Sequence, residues 1–242
     1  MSNGSLDSRT GYGVALFDLD GTLVESDATI DRHTRLWAER NDLDVAKVIA
    51  LSHGLRDRDF IPMLVPSDRV ETEIRWLHEL SCRDTEGITA IPGAAELTAG
   101  LPAHAWAVVT SAARDVALRR LAAASLPRPL LLICAEQVVE GKPSPEGYLR
   151  AAEAMEVEPH TCLVFEDSPA GLLAARSAGM DAVAVGGGRE AVYGTPVTDL
   201  RAVRIQVAPA GELLVTQRKP ASAFIPSSFP PKSRKTRSIA RK

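Results

Sequence analysis

VALFDLDGTLVES, residues 14–26, is an apolar run that ends in two carboxylates. Val14 to Phe17 read as a short buried β-strand. Asp18 and Asp20 follow at a spacing of two, so their side chains leave the strand end on the same side. Two like charges held that close destabilise each other unless a cation or a reaction uses them. Asp20-Gly21 is also a hairpin signal, and taken alone the stretch reads equally well as a surface turn. The rest of the chain decides between the two.

Four more apolar runs follow, at Ala105 to Val109, Leu130 to Cys134, Cys162 to Phe165 and Ala182 to Val185. Helix-like stretches lie between them at Ala94 to Gly100, Arg114 to Ala124, Pro145 to Met155 and Pro169 to Ala178. Alternating strands and helices predict an α/β fold, a Rossmann-like three-layer core around a parallel sheet with crossover helices. Ser144-Pro145 and Ser168-Pro169 each read as an N-cap hydroxyl before a proline at the first helical position. Residues 27–91 break the alternation: amphipathic stretches around Ile30 to Arg40 and Val70 to Ser81, with no convincing strand, predict a helical cap inserted after the first strand. Pro92-Gly93 marks the return to the core, 92–216. Ala202 to Val207 and Glu212 to Val215 predict an antiparallel hairpin at the sheet edge. Residues 1–11 read as an N-terminal tail and 217–242 as a disordered basic tail, Pro-rich and ending in the run Lys232 to Lys242.

The chain has 242 residues and a net charge of −3, but eight Lys or Arg and no Asp or Glu fall after Gln217, so the part before it is strongly acidic. That argues against a nucleic-acid-binding core. Cys82, Cys134 and Cys162, odd in number and without metal-type spacing, argue against a disulfide framework and for a reducing compartment. No apolar run approaches a membrane span and the polar start lacks a signal peptide's apolar centre, so the expectation is a cytoplasmic protein, monomeric, with no membrane partner.

Polar residues cluster where the apolar runs end: Asp18 after VALF, Thr110-Ser111 after WAVV, Glu166-Asp167 after CLVF, with Gly141-Lys142-Pro143 in the turn before a helix. In an open α/β sheet those ends face one crevice, where ligands bind. Each element alone has a structural reading: a turn, a solvated lysine, acids favoured by a helix N-terminus. Their coincidence at four loops does not.

The set DLDGT at 18–22, TS at 110–111, GKPSP at 141–145 and FEDSPAG at 165–171 resembles the haloacid dehalogenase superfamily, specifically its phosphatases with a helical C1 cap. SHG-x-R at 52–56 and WAVVTSAARD at 106–115 look most similar to the glycerol-3-phosphatase and 2-deoxyglucose-6-phosphatase type. The resemblance covers residues 12 to about 215. It implies a phosphoric monoester hydrolase in which Asp18 attacks phosphorus and Asp20 serves as general acid and base. It also implies Mg²⁺ held by Asp18, the Asp20 carbonyl and Asp167, with Glu166 a direct or indirect ligand, and phosphate held by Thr110, Ser111 and Lys142. The implied substrate is a small sugar or polyol phosphate. Asp at nucleophile plus two favours phosphatase or phosphomutase chemistry. The alternatives are a hexose-phosphate mutase of the β-phosphoglucomutase type, whose cap histidine position is Ile30 here with His33 nearby, and a non-catalytic binding protein. Specificity is expected from the cap loop through His53 and Arg56. Asp57 departs from the Thr of the glycerol and deoxyglucose enzymes.

Overall fold

A computed structural model describes residues 11–52, 54–186 and 193–218. The chain enters through β1 (Gly11–Tyr12) and β2 (Val14–Phe17), turns after Asp18, and leaves the core through β3 (Val24–Glu25). Four helices follow: α1 (Asp27–Arg40), α2 (Val45–Ser52), α3 (Asp57–Phe60) and α4 (Val70–Arg83). β4 (Thr89–Ala90) brings the chain back, antiparallel to β3 with Val24 opposite Ala90. This two-residue ribbon in the connections to the helical insert is absent from the sequence expectation, because neither segment is long enough to show a period.

Alternation then proceeds as expected through α5 (Ala94–Gly100), β5 (Trp106–Val109), α6 (Arg114–Ala123), β6 (Leu132–Ile133), α7 (Glu146–Ala154), β7 (Cys162–Glu166), α8 (Pro169–Ser177) and β8 (Asp181–Val185). The last strands are β9 (Thr195–Val197), β10 (Val203–Val207) and β11 (Leu213–Gln217). The main sheet is parallel with order β6-β5-β2-β7-β8-β9. From β2 the chain builds outward first on one side and then on the other, so the carboxyl end of β2 lies at a topological switch point.

The strands are apolar throughout because both sheet faces are covered. Ala15 and Phe17 enter one buried cluster, Val14 and Leu16 the other. Phe17 stacks on Phe165 with ring centroids 4.6 Å apart, and the two are paired in register, so Asp18 and Glu166 leave neighbouring strands side by side. The inserted helices have their own core around Trp37, Phe60, Ile61 and Leu77. Within it Glu73 is buried but satisfied: its carboxylate accepts from Trp37 Nε1 at 3.0 Å, Asn41 Nδ2 at 2.9 Å and Arg69 at 2.8 Å, riveting α1 to α4.

Several expectations are corrected. The hairpin β10–β11 does not extend the main sheet; it pairs with β1 in a separate antiparallel sheet, and the main sheet's edge is β9, where Pro196 is tolerated. Ser168 caps α8, accepting from Gly171 N at 3.0 Å. At Ser144-Pro145 the helix instead begins at Glu146, with Pro145 in the cap position. Gly11 and Gln217, placed in the tails by sequence, are strand residues; residues 1–10 and 219–242 lie outside the described residues, as does His53. Among the described residues no helix is long and apolar enough to cross a membrane.

Candidate active site

Asp18 is held at the end of β2 by its own N–H, which donates to the Phe165 carbonyl at 2.9 Å. The chain then turns through Gly21, at φ +81°, where a side chain would be strained and its Cβ would collide with the Asp167 carboxylate. Glycine therefore lets the loop carrying Asp18 and Asp20 close against Asp167. Thr110 and Ser111 follow β5, Lys142 lies in the turn before α7, and Glu166 ends β7, so the structure brings the strand-end residues into one crevice.

Lys142 Nζ lies 2.5 Å from both Asp18 Oδ1 and Glu166 Oε1, and 5.4 Å from the Tyr148 ring centre. Glu166 is fully buried: Tyr148 donates to Oε1 at 3.3 Å, and Ser168 donates to Oε2 from its backbone N at 2.7 Å and its hydroxyl at 3.0 Å. Both its oxygens are therefore engaged by protein donors. Gly171 admits this carboxylate, since a Cβ there would overlap it.

Asp167 differs. Among the described residues no hydrogen-bond donor reaches it, although its carboxylate lies with those of Asp18 and Glu166 within 4.8 Å. Burial, then the charges of Asp18 and Glu166, push its pKa up to about 9. Asp18 is pushed up to about 7, chiefly by burial, against the opposing pull of Lys142. Burial alone would lower Lys142, but Asp18 and Glu166 more than offset it and hold the ammonium well above its ordinary value. Three carboxylates lie around one ammonium that bonds two of them, and Asp167 lines the crevice with no hydrogen-bond donor among the described residues. This donor set fits a hard divalent cation.

Asp20 is anchored separately. Ser26 Oγ donates to one oxygen at 2.5 Å and Arg120 Nη1 to the other at 2.6 Å. Arg120 comes from α6, where it is buried on the same face as Val116, Ala117 and Leu121. A charged residue within an apolar stripe is the sequence signal for it, and a reading confined to the strand ends passes it over. Thr110 is buried, its hydroxyl accepting from Ala112 N at 3.0 Å, while Ser111 Oγ donates to the cap carbonyl of Gly54 at 3.4 Å.

The crevice has a volume of ≈ 480 Å³; Asp18, Asp20, Lys142 and Asp167 form its floor, and Ile30, Asp57, Arg75 and His78 of the cap form its roof. Arg56 lines it too, but not as an open hand for substrate. Nε and Nη2 clamp Asp59 at 2.6 and 2.7 Å, Nη1 donates to the carbonyls of Ala135 at 3.4 Å and Val138 at 3.0 Å, and Nη2 also to Val139 at 3.1 Å. All five guanidinium donors are taken. Arg56 is a clasp between cap and core, an arrangement that leaves none of its N–H groups to meet the expectation that it grips the leaving group. Its neighbour Asp57 has no hydrogen-bond donor among the described residues, and burial, opposed by Arg120 and His78, pushes it up to about 6. His33, the residue nearest the mutase cap position, is buried with Nε2 3.0 Å from Asp84 and Nδ1 3.4 Å from Ser81. Both ring nitrogens are occupied within the cap.

The haloacid dehalogenase-like hydrolase family matches residues 12–179. Hexitol phosphatase A of Escherichia coli (strain K12) is 40% identical over 179 residues, 70% of this chain and 81% of its own. Glycerol-1-phosphate phosphohydrolase 2 of Saccharomyces cerevisiae is 34% identical over 183 residues, 71% of this chain and 73% of its own. Among solved structures, a hydrolase from Pseudomonas syringae superposes with a TM-score of 0.68 at 26% identity, over 77% of this chain and 93% of that one. The family match includes every floor residue of the crevice, and the chain belongs to the haloacid dehalogenase-like hydrolases as an enzyme of the phosphatase type.

Proposed function

We propose that the protein hydrolyses small polyol or sugar phosphate monoesters through a covalent phosphoaspartate, with Mg²⁺ as cofactor. The observation that carries this reading is the chain Asp18–Lys142–Glu166 buried at the switch point, with Asp167 beside it meeting no hydrogen-bond donor among the described residues and Asp20 anchored two residues on. Asp18 and Asp167, with the Asp20 carbonyl, would hold the ion, and Glu166 would act behind them by fixing Lys142 and the Ser168 turn. Bound there, the ion supplies neutralisation of charge on the phosphoryl oxygens.

Asp18 attacks phosphorus, with Lys142 pairing the nucleophile and the incoming phosphoryl charge. Asp20, presented by Ser26 and Arg120, gives a proton to the leaving alkoxide and later takes one from the attacking water. Thr110 and Ser111 close the phosphate side of the pocket. In the roof, Asp57 is the group positioned to accept hydrogen bonds from hydroxyls of the leaving group; a desolvated carboxylate gains more from such a donor than an exposed one. The relatives named for hexitol and glycerol phosphates support the substrate class. A phosphate-release assay on hexitol, glycerol and hexose phosphates, with and without Mg²⁺, tests it: turnover should require Mg²⁺ and favour open-chain polyol phosphates. Isomerisation of a hexose phosphate without phosphate release would overturn it.

A further inference from the structure

Outside the floor, one other cluster among the described residues joins groups of metal-ligating chemistry. His78 and Cys82 lie one turn apart on α4 of the cap and share a face of that helix; Asp115 lies in the first turn of α6 of the core, on which α4 packs. His78 Nε2 is 3.1 Å from Asp115 Oδ2, Cys82 Sγ is 3.4 Å from the same oxygen, and Cys82 Sγ is 3.7 Å from His78 Nε2.

We infer that His78, Cys82 and Asp115 form a zinc-class transition-metal site that bridges the cap and the core. A tetrahedral ion with bonds of ~2.05 Å to nitrogen and oxygen and ~2.3 Å to sulfur has ligand edges of ~3.4 Å between N and O and ~3.6 Å from either to S. The triangle in the protein matches each edge to within a few tenths of an ångström. An imidazole, a thiolate and a carboxylate carry the two negative charges that balance a divalent ion, and sulfur with nitrogen selects zinc over magnesium. The Asp115 carboxylate is already oriented as a ligand would be, since Oδ1 accepts from Val116 N at 3.0 Å and Oδ2 is left toward the pair. The cluster is half exposed, so a fourth position is open to water. Arg119, an exposed side chain that hydrogen-bonds Cys82, would have to give up that contact as the thiol proton leaves to solvent and the sulfur–metal bond forms.

Because two ligands belong to the cap and one to the core, an ion here ties the cap down, and His78 itself lines the crevice. Cap opening must admit substrate and release product, so zinc acts as a brake on turnover.

The test uses the full chain saturated with Mg²⁺. Co²⁺ should bind one to one and give a thiolate-to-cobalt charge-transfer band that Cys82→Ser abolishes and His78→Ala weakens; this arm does not depend on the phosphatase reading. In turnover, Zn²⁺ should inhibit the wild type, while Cys82→Ser, outside the crevice lining, keeps basal activity, and both variants need at least ~10-fold more Zn²⁺ for half-inhibition of their own turnover. No charge-transfer band, or one that survives Cys82→Ser, overturns the site. Equal inhibition of wild type and variants, or binding without inhibition, overturns the brake.

Discussion

In the floor of the crevice, Lys142 and Glu166 are answered by the core itself: the ammonium by two carboxylates, the glutamate by Tyr148 and Ser168. In the roof, two adjacent residues divide the work differently. Arg56 has all its donors bound to Asp59 and to carbonyls of the core loop, whereas Asp57 lines the cavity with no hydrogen-bond donor to it among the described residues. The floor can be rigid because every phosphate monoester presents it with the same group. The roof must both close and leave something unsatisfied for the leaving group to complete.

Four substitutions probe that division, in descending order of effect on activity. Asp18→Asn should reduce phosphate release by ~10⁴-fold or more on every substrate while the thermal transition stays cooperative, since the amide cannot form the covalent intermediate. Residual turnover near wild type in a folded variant would remove Asp18 from the nucleophile role. Arg120→Met leaves Asp20 with Ser26 alone; kcat on polyol phosphates should fall ~10- to 100-fold, and less on nitrophenyl phosphate, whose leaving group needs no proton. Equal losses on both would mean that Arg120 supports only the fold. Arg56→Ala should cost about 3 kcal/mol in denaturant unfolding, because it strands a partly buried carboxylate and three carbonyls. Its effect on kcat/KM should be the same factor for both substrate types, and a selective loss would restore the specificity role that the hydrogen bonds argue against.

The floor was legible in the sequence and the roof was not, for physical reasons that particular residues show. Asp18, Thr110-Ser111 and Glu166-Asp167 stand at ends of apolar runs and Lys142 in a turn before a helix, and a parallel sheet sends all such ends to one place, so one-dimensional spacing carried three-dimensional information. Arg120 and Glu73 sit inside apolar helical stripes, where a charged residue signals a buried partner but not which one. Tyr148 lies within the helix-like stretch Pro145 to Met155, where nothing in the spacing marks it as a partner of Glu166. In the cap, helix α3 is a single turn and β4 two residues, below the length at which periodicity appears. Arg56 and Asp57 are both charged neighbours in the sequence; only the approach of residues 135–139 from the core decides which is clasp and which faces the cavity.

Asp57 gives the smallest effect and the most direct test. In the fold its carboxyl is held at about 6 against an ordinary 3.8, so folding favours the protonated form: its contribution is intact below pH ~4 and is lost as pH rises through about 6. Asp57→Asn should therefore stabilise the protein at pH 7–8 by up to ~3 kcal/mol, less to the extent that water reaches the group, with the gain fading toward pH 4. The same variant decides the central claim, that the floor handles phosphate and the roof chooses what phosphate is attached to. The measurement is kcat/KM for a hexitol phosphate and for nitrophenyl phosphate, in wild type and Asp57→Asn at saturating Mg²⁺. The expected result is a ~10-fold or greater loss on the hexitol phosphate, the scale of one charge-assisted hydrogen bond, with nitrophenyl phosphate nearly unchanged. An equal change on both substrates would contradict the division between floor and roof.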